Sequence, residues 1–99
     1  MINTKEQAFK ELTTIPGVGK SIASDLLDIG ITKVLDLRGK NPELLFDLSN
    51  KIAGKIQDRC LLYVFRCAVY FANTPENKQQ AELLKWWKWK DKKNKNENN

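Results

Sequence analysis

The stretch Leu12-Thr13-Thr14-Ile15-Pro16-Gly17-Val18-Gly19-Lys20-Ser21-Ile22-Ala23-Ser24-Asp25-Leu26 decides how the rest of the chain is read. Leu12 and Ile15 on one side, and Ile22, Ala23 and Leu26 on the other, stand at helical spacing around an Ile-Pro-Gly-Val-Gly break. That pattern predicts two short helices joined by a tight turn. The letters Gly-Val-Gly-Lys-Ser also occur in the nucleotide-binding loop G-x-x-x-x-G-K-[ST]. Counting back from Gly19, the first glycine of that loop would fall on Thr14. Pro16 lies inside the loop, and the segment before it reads as helix, not as the buried strand the loop needs. The nucleotide-binding loop is excluded.

The spacing does fit a second phosphate-binding device. Leu12-x-x-Ile15-Pro16-Gly17-Val18-Gly19-x-x-Ile22-Ala23-x-x-Leu26 resembles the helix-hairpin-helix motif, h-x-x-h-P-G-h-G-x-x-x-A-x-x-h. The residue types have physical reasons. Glycine at 17 and 19 permits backbone conformations closed to other residues and a close approach to a surface. The first amides of the second helix have no intrahelical acceptor, so they attract anions. Lys20 adds a full charge beside them, and Ala23 lets the two helices cross tightly. The resemblance implies a grip on DNA backbone phosphates through Gly17, Val18, Gly19, Lys20 and Ser21. A Pro-Gly turn between two helices with no ligand is the plain structural alternative.

Composition narrows the remaining classes. With 99 residues the chain has room for one compact domain, and 41% apolar content argues against wholesale disorder. Histidine is absent, which removes Ser-His and Cys-His nucleophilic arrangements, His-ligated zinc and His general bases. Cys60 and Cys67 are seven apart in a helical stretch, ~10 Å along the axis and too far for an intrachain bridge. Both are expected to be reduced and buried. Asp25 and Asp28 read as a solvated helix surface rather than as an acid–base pair. The expectation is therefore no enzyme, no cofactor and no metal. No apolar run is long enough for a membrane span, and the polar start Met1 to Gln7 does not read as a signal peptide. A cytoplasmic protein is expected.

Along the chain, Asn3 or Thr4 can cap a first helix that turns Ala8, Phe9 and Leu12 inward. Gly30 is placed to end the second helix, with Ile31 folding back on it. Thr32 can cap a short third helix through Val34 and Leu37. Asn41-Pro42-Glu43 opens a fourth that should bury Leu44, Leu45, Leu48 and Ile52 and stop at Gly54. Asp58 caps a fifth, Arg59 to about Phe71, apolar over most of its circumference and so expected as the central post of the bundle. Along that helix Arg59, Tyr63, Arg66 and Tyr70 form one stripe, either a partner surface or, as favoured, a groove lining with cation–π contacts and an ion pair to an acid. Thr74-Pro75-Glu76 opens a last helical piece that reaches the tryptophans. Trp86, Trp87 and Trp89, interleaved with Lys85, Lys88 and Lys90, either stack nucleic-acid bases or close the core, the latter favoured. Residues 1–89 are read as one helical domain and 90–99 as a disordered polar tail.

Beyond the hairpin the chain resembles the small bacterial "pathogenicity locus" family of helix-hairpin-helix proteins. The matching segments are Leu12 to Leu37, Asp58 to Tyr70 and Leu84 to Asp91. The resemblance implies an all-α, SAM-like bundle of about five helices and leaves the biochemical role open. Charge tempers the DNA expectation. Residues 1–74 hold 10 basic and 8 acidic side chains, while residues 75–99 hold 7 and 4, so most of the net +5 sits in the last quarter. A chain relying on ~6–10 phosphate contacts would show a denser basic face. The expected function is weak, sequence-independent binding of nucleic acid, double-stranded DNA above all. The alternative is a SAM-like protein–protein adaptor.

Overall fold

The computed structural model describes residues 4–91. It holds four α-helices: α1 (Thr4–Leu12), α2 (Lys20–Asp28), α3 (Pro42–Ala53) and α4 (Arg59–Asn73). Short 3-10 turns occupy Val34–Leu37, Glu76–Lys78, Ala81–Leu84 and Trp86–Trp89, and there is no strand among the described residues. The fold is all-α, as expected, with four α-helices rather than five. The difference lies at Val34–Leu37, which makes one 3-10 turn instead of a helix. Its start is tied by Asp36, whose carboxylate accepts from the Thr32 and Lys33 amides at 3.0 and 3.2 Å. The Val34 amide is also drawn away, donating to Glu11 of α1 at 2.7 Å. With its start capped, the segment still ends after a single turn, because Arg38 is extended (ψ 131°) and Gly39 takes a left-handed φ of +72°.

α4 is the axis of the molecule. Leu61, Leu62, Val64, Phe65, Cys67, Ala68, Val69 and Ala72 are all buried on it, and α3, the Val34–Leu37 turn and the segment 81–89 each pack against it. The ends of the helices follow local chemistry. Asn41 accepts from the Glu43 and Leu44 amides at the start of α3, and Asp58 accepts from the Cys60 amide at the start of α4. At the end of α2 the Ile31 amide returns to the Leu26 carbonyl at 2.9 Å, the glycine-dependent stop expected at Gly30.

Three expectations are corrected by the packing. α3 buries Leu45, Phe46 and Ser49, whereas Leu44, Leu48 and Ile52 remain exposed; Phe46 and Ser49 set the helix's rotation, not the leucine row. Cys60 is exposed and only Cys67 is buried: in the first turn of α4 the inward positions are taken by Leu61 and Leu62, and Cys60 lies on the solvent side. The last helical piece is a chain of 3-10 turns. Its start is fastened beside α4: the Gln79 side-chain amide donates to the Phe71 and Thr74 carbonyls, and the Gln80 backbone amide donates to the Tyr70 hydroxyl.

That C-terminal strap closes over the Arg59-Tyr63-Arg66-Tyr70 stripe, in the groove arrangement that was favoured. Arg66 donates to the Trp89 carbonyl at 2.8 Å and lies 5.6 Å from the centre of the Tyr63 ring. Asp91 ends the strap, paired with Arg59 at 2.6 Å and Arg66 at 2.9 Å and accepting from the Tyr63 hydroxyl at 3.2 Å. The tail expected from residue 90 lies outside the described residues from 92 onward. Trp89 stacks obliquely on Tyr70 at 5.5 Å and donates to the Leu83 carbonyl. Trp86 is packed against the core, and Trp87 stays 48% exposed.

Two outcomes follow. Cys60 should label rapidly with a thiol reagent under native conditions, and Cys67 only on unfolding. Burial pushes the Cys67 thiol up to about 11, whereas Cys60 is reachable although the Asp58 carboxylate holds it above its ordinary value. For the strap, hydrogen bonds from Arg59 and then Arg66 hold the Asp91 carboxyl far below its usual range. A depressed folded-state pKa stabilises above the unfolded value of ~3.9 and is lost as pH falls through the folded one. As pH falls from about 4 toward that depressed folded value the strap should progressively loosen, with a red shift in tryptophan emission, and Asp91→Asn should show the loosened emission already at neutral pH.

Candidate anion-binding hairpin

α1 and α2 form the hairpin expected from the sequence. Leu12, Ile15, Val18, Ala23 and Leu26 are at most 5% exposed, so the apolar letters of the pattern are the anchors that hold the turn. Between them the chain closes tightly. Thr13 and Thr14 donate through amide and hydroxyl to carbonyls of the last turn of α1, and the Val18 amide donates to the Ile15 carbonyl at 3.0 Å.

Of the five residues expected at the site, Gly17, Gly19, Lys20 and Ser21 lie on the surface. Val18 is turned inward, with its amide already engaged, and so shapes the loop from below. Gly17 has φ +86°, a conformation that strongly favours glycine. Gly19 is the N-cap of α2 with φ −95° and ψ −170°, which other residues can adopt. Its missing side chain leaves open space instead: nothing lies within 4 Å of where a Cβ would be. The first helical bond runs from the Ala23 amide to the Gly19 carbonyl, and no side chain caps the start of the helix. Among the described residues the amides of Lys20 and Ser21 have no acceptor, and they carry the partial positive charge of a helix start. Lys20 has no ion-pair partner among the described residues.

A partner of the loop was missed in the sequence. A Cβ on Gly17 would lie 3.0 Å from Cδ1 of Trp86, so the indole rests on the turn from a position 69 residues away, with no local signal to announce it. Trp86, Gly17 and Ile22 line a cleft of about 520 Å³ together with Lys55, Gln57 and Asp58. Asp25 also borders this cleft, its carboxyl raised above the usual range by burial and then by Asp28. The acidic side chains of α2 thus lie downstream of the loop, while its tip presents amides and Lys20.

Comparison with known proteins identifies the family. The family model described as "Pathogenicity locus" matches residues 5–95. The chain is 35% identical over 80 residues to the mitomycin resistance protein McrB of Streptomyces lavendulae, covering 78% of this chain and 68% of that protein. No solved structure matches. The chain belongs to the pathogenicity-locus family.

The two glycines should separate in a stability experiment. Gly17→Ala meets both a left-handed φ and the Trp86 ring, and should cost ~1–3 kcal/mol. In a domain of this size that lowers the melting temperature by roughly 4–8 °C per kcal/mol. Gly19→Ala should melt within a degree or two of the natural chain.

Proposed function

We propose that this pathogenicity-locus protein is a non-catalytic helix-hairpin-helix module that binds the backbone phosphates of double-stranded DNA without sequence preference. The observation that carries it is the uncapped start of α2, presented by a glycine turn and flanked by Lys20, which has no ion-pair partner among the described residues. A phosphate oxygen placed there meets amide donors, the positive end of a helix and a lysine together. None of these groups reads a base edge, so affinity should be shared by all sequences. One hairpin makes few contacts, and the net charge of +5 is spread thinly, so binding should be weak. Such a module belongs in the cytoplasm, where thiols such as Cys60 stay reduced. A SAM-like protein adaptor is the second reading, favoured by the apolar row left open on α3.

Gel-shift titrations on duplex and single-stranded DNA at two salt concentrations separate the two. Phosphate binding should weaken with a log–log slope of about −0.9 per phosphate neutralised. Lys20→Ala should weaken binding equally on unrelated sequences and reduce the slope by about one contact, and Lys20→Glu should weaken it further. If Lys20→Glu binds duplex normally while deletion of residues 92–99 abolishes binding, the hairpin is not the binding element.

A further inference from the structure

Among the described residues, only one of the two apolar faces of α3 is covered. Leu45, Phe46 and Ser49 are buried on the side facing the core. Leu44, Leu48 and Ile52 recur every fourth residue and remain 65%, 43% and 51% exposed, and Ile56 beyond the helix is 86% exposed. Leu44, Leu48 and Ile56 border a shallow groove of about 700 Å³ together with Asp47, Lys51 and Arg59. A contiguous apolar strip of this kind marks an interaction surface more often than a free one.

The charges beside the strip identify what covers it. At ~100° per residue, Asp47 and Lys51 share the solvent-side flank of the leucine row. Neither has an ion-pair partner among the described residues, although they are one turn apart. Read from the N-terminal end, the flank is acid then base. A partner of one charge sign would be repelled at one end of it. A copy of the same helix running antiparallel matches both ends: each Asp47 meets the Lys51 of the other chain. In a parallel twofold pair the two Asp47/Lys51 flanks would lie on opposite sides of the seam and leave both charges without a partner.

We propose that α3 is the contact of a homodimer, packed antiparallel against α3 of a second copy about a twofold axis near Leu48. The interface is isologous, so every contact occurs twice. Leu48 meets its own counterpart at the axis, Leu44 lies towards Ile52 of the other chain, and Ile56 extends the apolar strip at both ends. The hairpin is not part of this contact, and the dimer requires no nucleic acid.

Sedimentation velocity and light scattering on the full chain, without DNA, test it. The natural chain should pass from monomer to dimer as its concentration rises. Leu48→Lys should stay monomeric at every concentration with an unchanged helical circular dichroism spectrum. Asp47→Lys places lysine against Lys51 twice and should raise the dissociation constant about tenfold or more. Adding Lys51→Asp to that variant should restore the original constant. A natural chain that remains monomeric throughout, or a dimer that survives Leu48→Lys, would overturn the proposal. So would a double variant no tighter than Asp47→Lys, since the antiparallel pairing would then be wrong. A mixed assembly with another protein, seen while the chain alone stays monomeric, assigns the surface to the adaptor reading and also overturns it.

Discussion

Phe65 has no accessible surface, in the middle of a helix whose neighbours on three sides are other parts of the same chain. α4 is too apolar to face water along most of its circumference, and burying it is the requirement the rest of the structure meets. α3 covers one side and the Val34–Leu37 turn another. The strap of residues 76–91 covers the side that no α-helix reaches. A segment of 3-10 turns is a poor free-standing structure, and it holds here because its side chains and backbone are fastened to α4 at Phe71, Tyr70, Cys67, Arg66 and Arg59.

The polar stripe of α4 gives this arrangement its direction. Arg66 is mostly enclosed, with its side chain 18% exposed, and it would be costly to bury without partners. Glu43 from α3, Asp91 from the strap and the Trp89 carbonyl all converge on it. One guanidinium thus joins three segments that are distant in sequence, and its planar set of donors suits that role better than a lysine could. Exposed ion pairs contribute little to stability individually; here their larger effect is to fix which way the strap lies on the post.

Much of this was legible in the residues. The anchors of the hairpin, the glycine stops at Gly30 and Gly54 and the apolar breadth of α4 are local signals, each with a physical cause that acts within a few positions. What escaped depends on contacts made far away. The row Leu44, Leu48 and Ile52 has the same spacing as a buried face, and only the burial of Phe46 and Ser49 shows which way the helix is turned. Cys60 reads as core because its helix is core, yet it lies on the solvent side of the first turn, beside the buried Leu61 and Leu62. Trp86 could be expected to pack, but nothing near it names Gly17 as the surface it packs on. Of the candidate site, the exposed loop positions and the need for glycine at position 17 were readable; the inward turn of Val18 and the indole beside the loop were not.

The contact between Gly17 and Trp86 also has a consequence for the order of events during synthesis. Both helices of the hairpin leave the ribosome early, and their short-range bonds can form at once. The turn between them acquires its final neighbour only after residue 86 has been made, and the strap is fastened only once Asp91 has followed. At ~5–20 residues per second, several seconds separate the emergence of the glycine turn from the arrival of its indole. During that interval the nascent chain carries a hairpin without its support and an α4 without its cover. Folding of the first hairpin and folding of the whole chain are therefore completed at nearly the same moment, by the last turns of the strap.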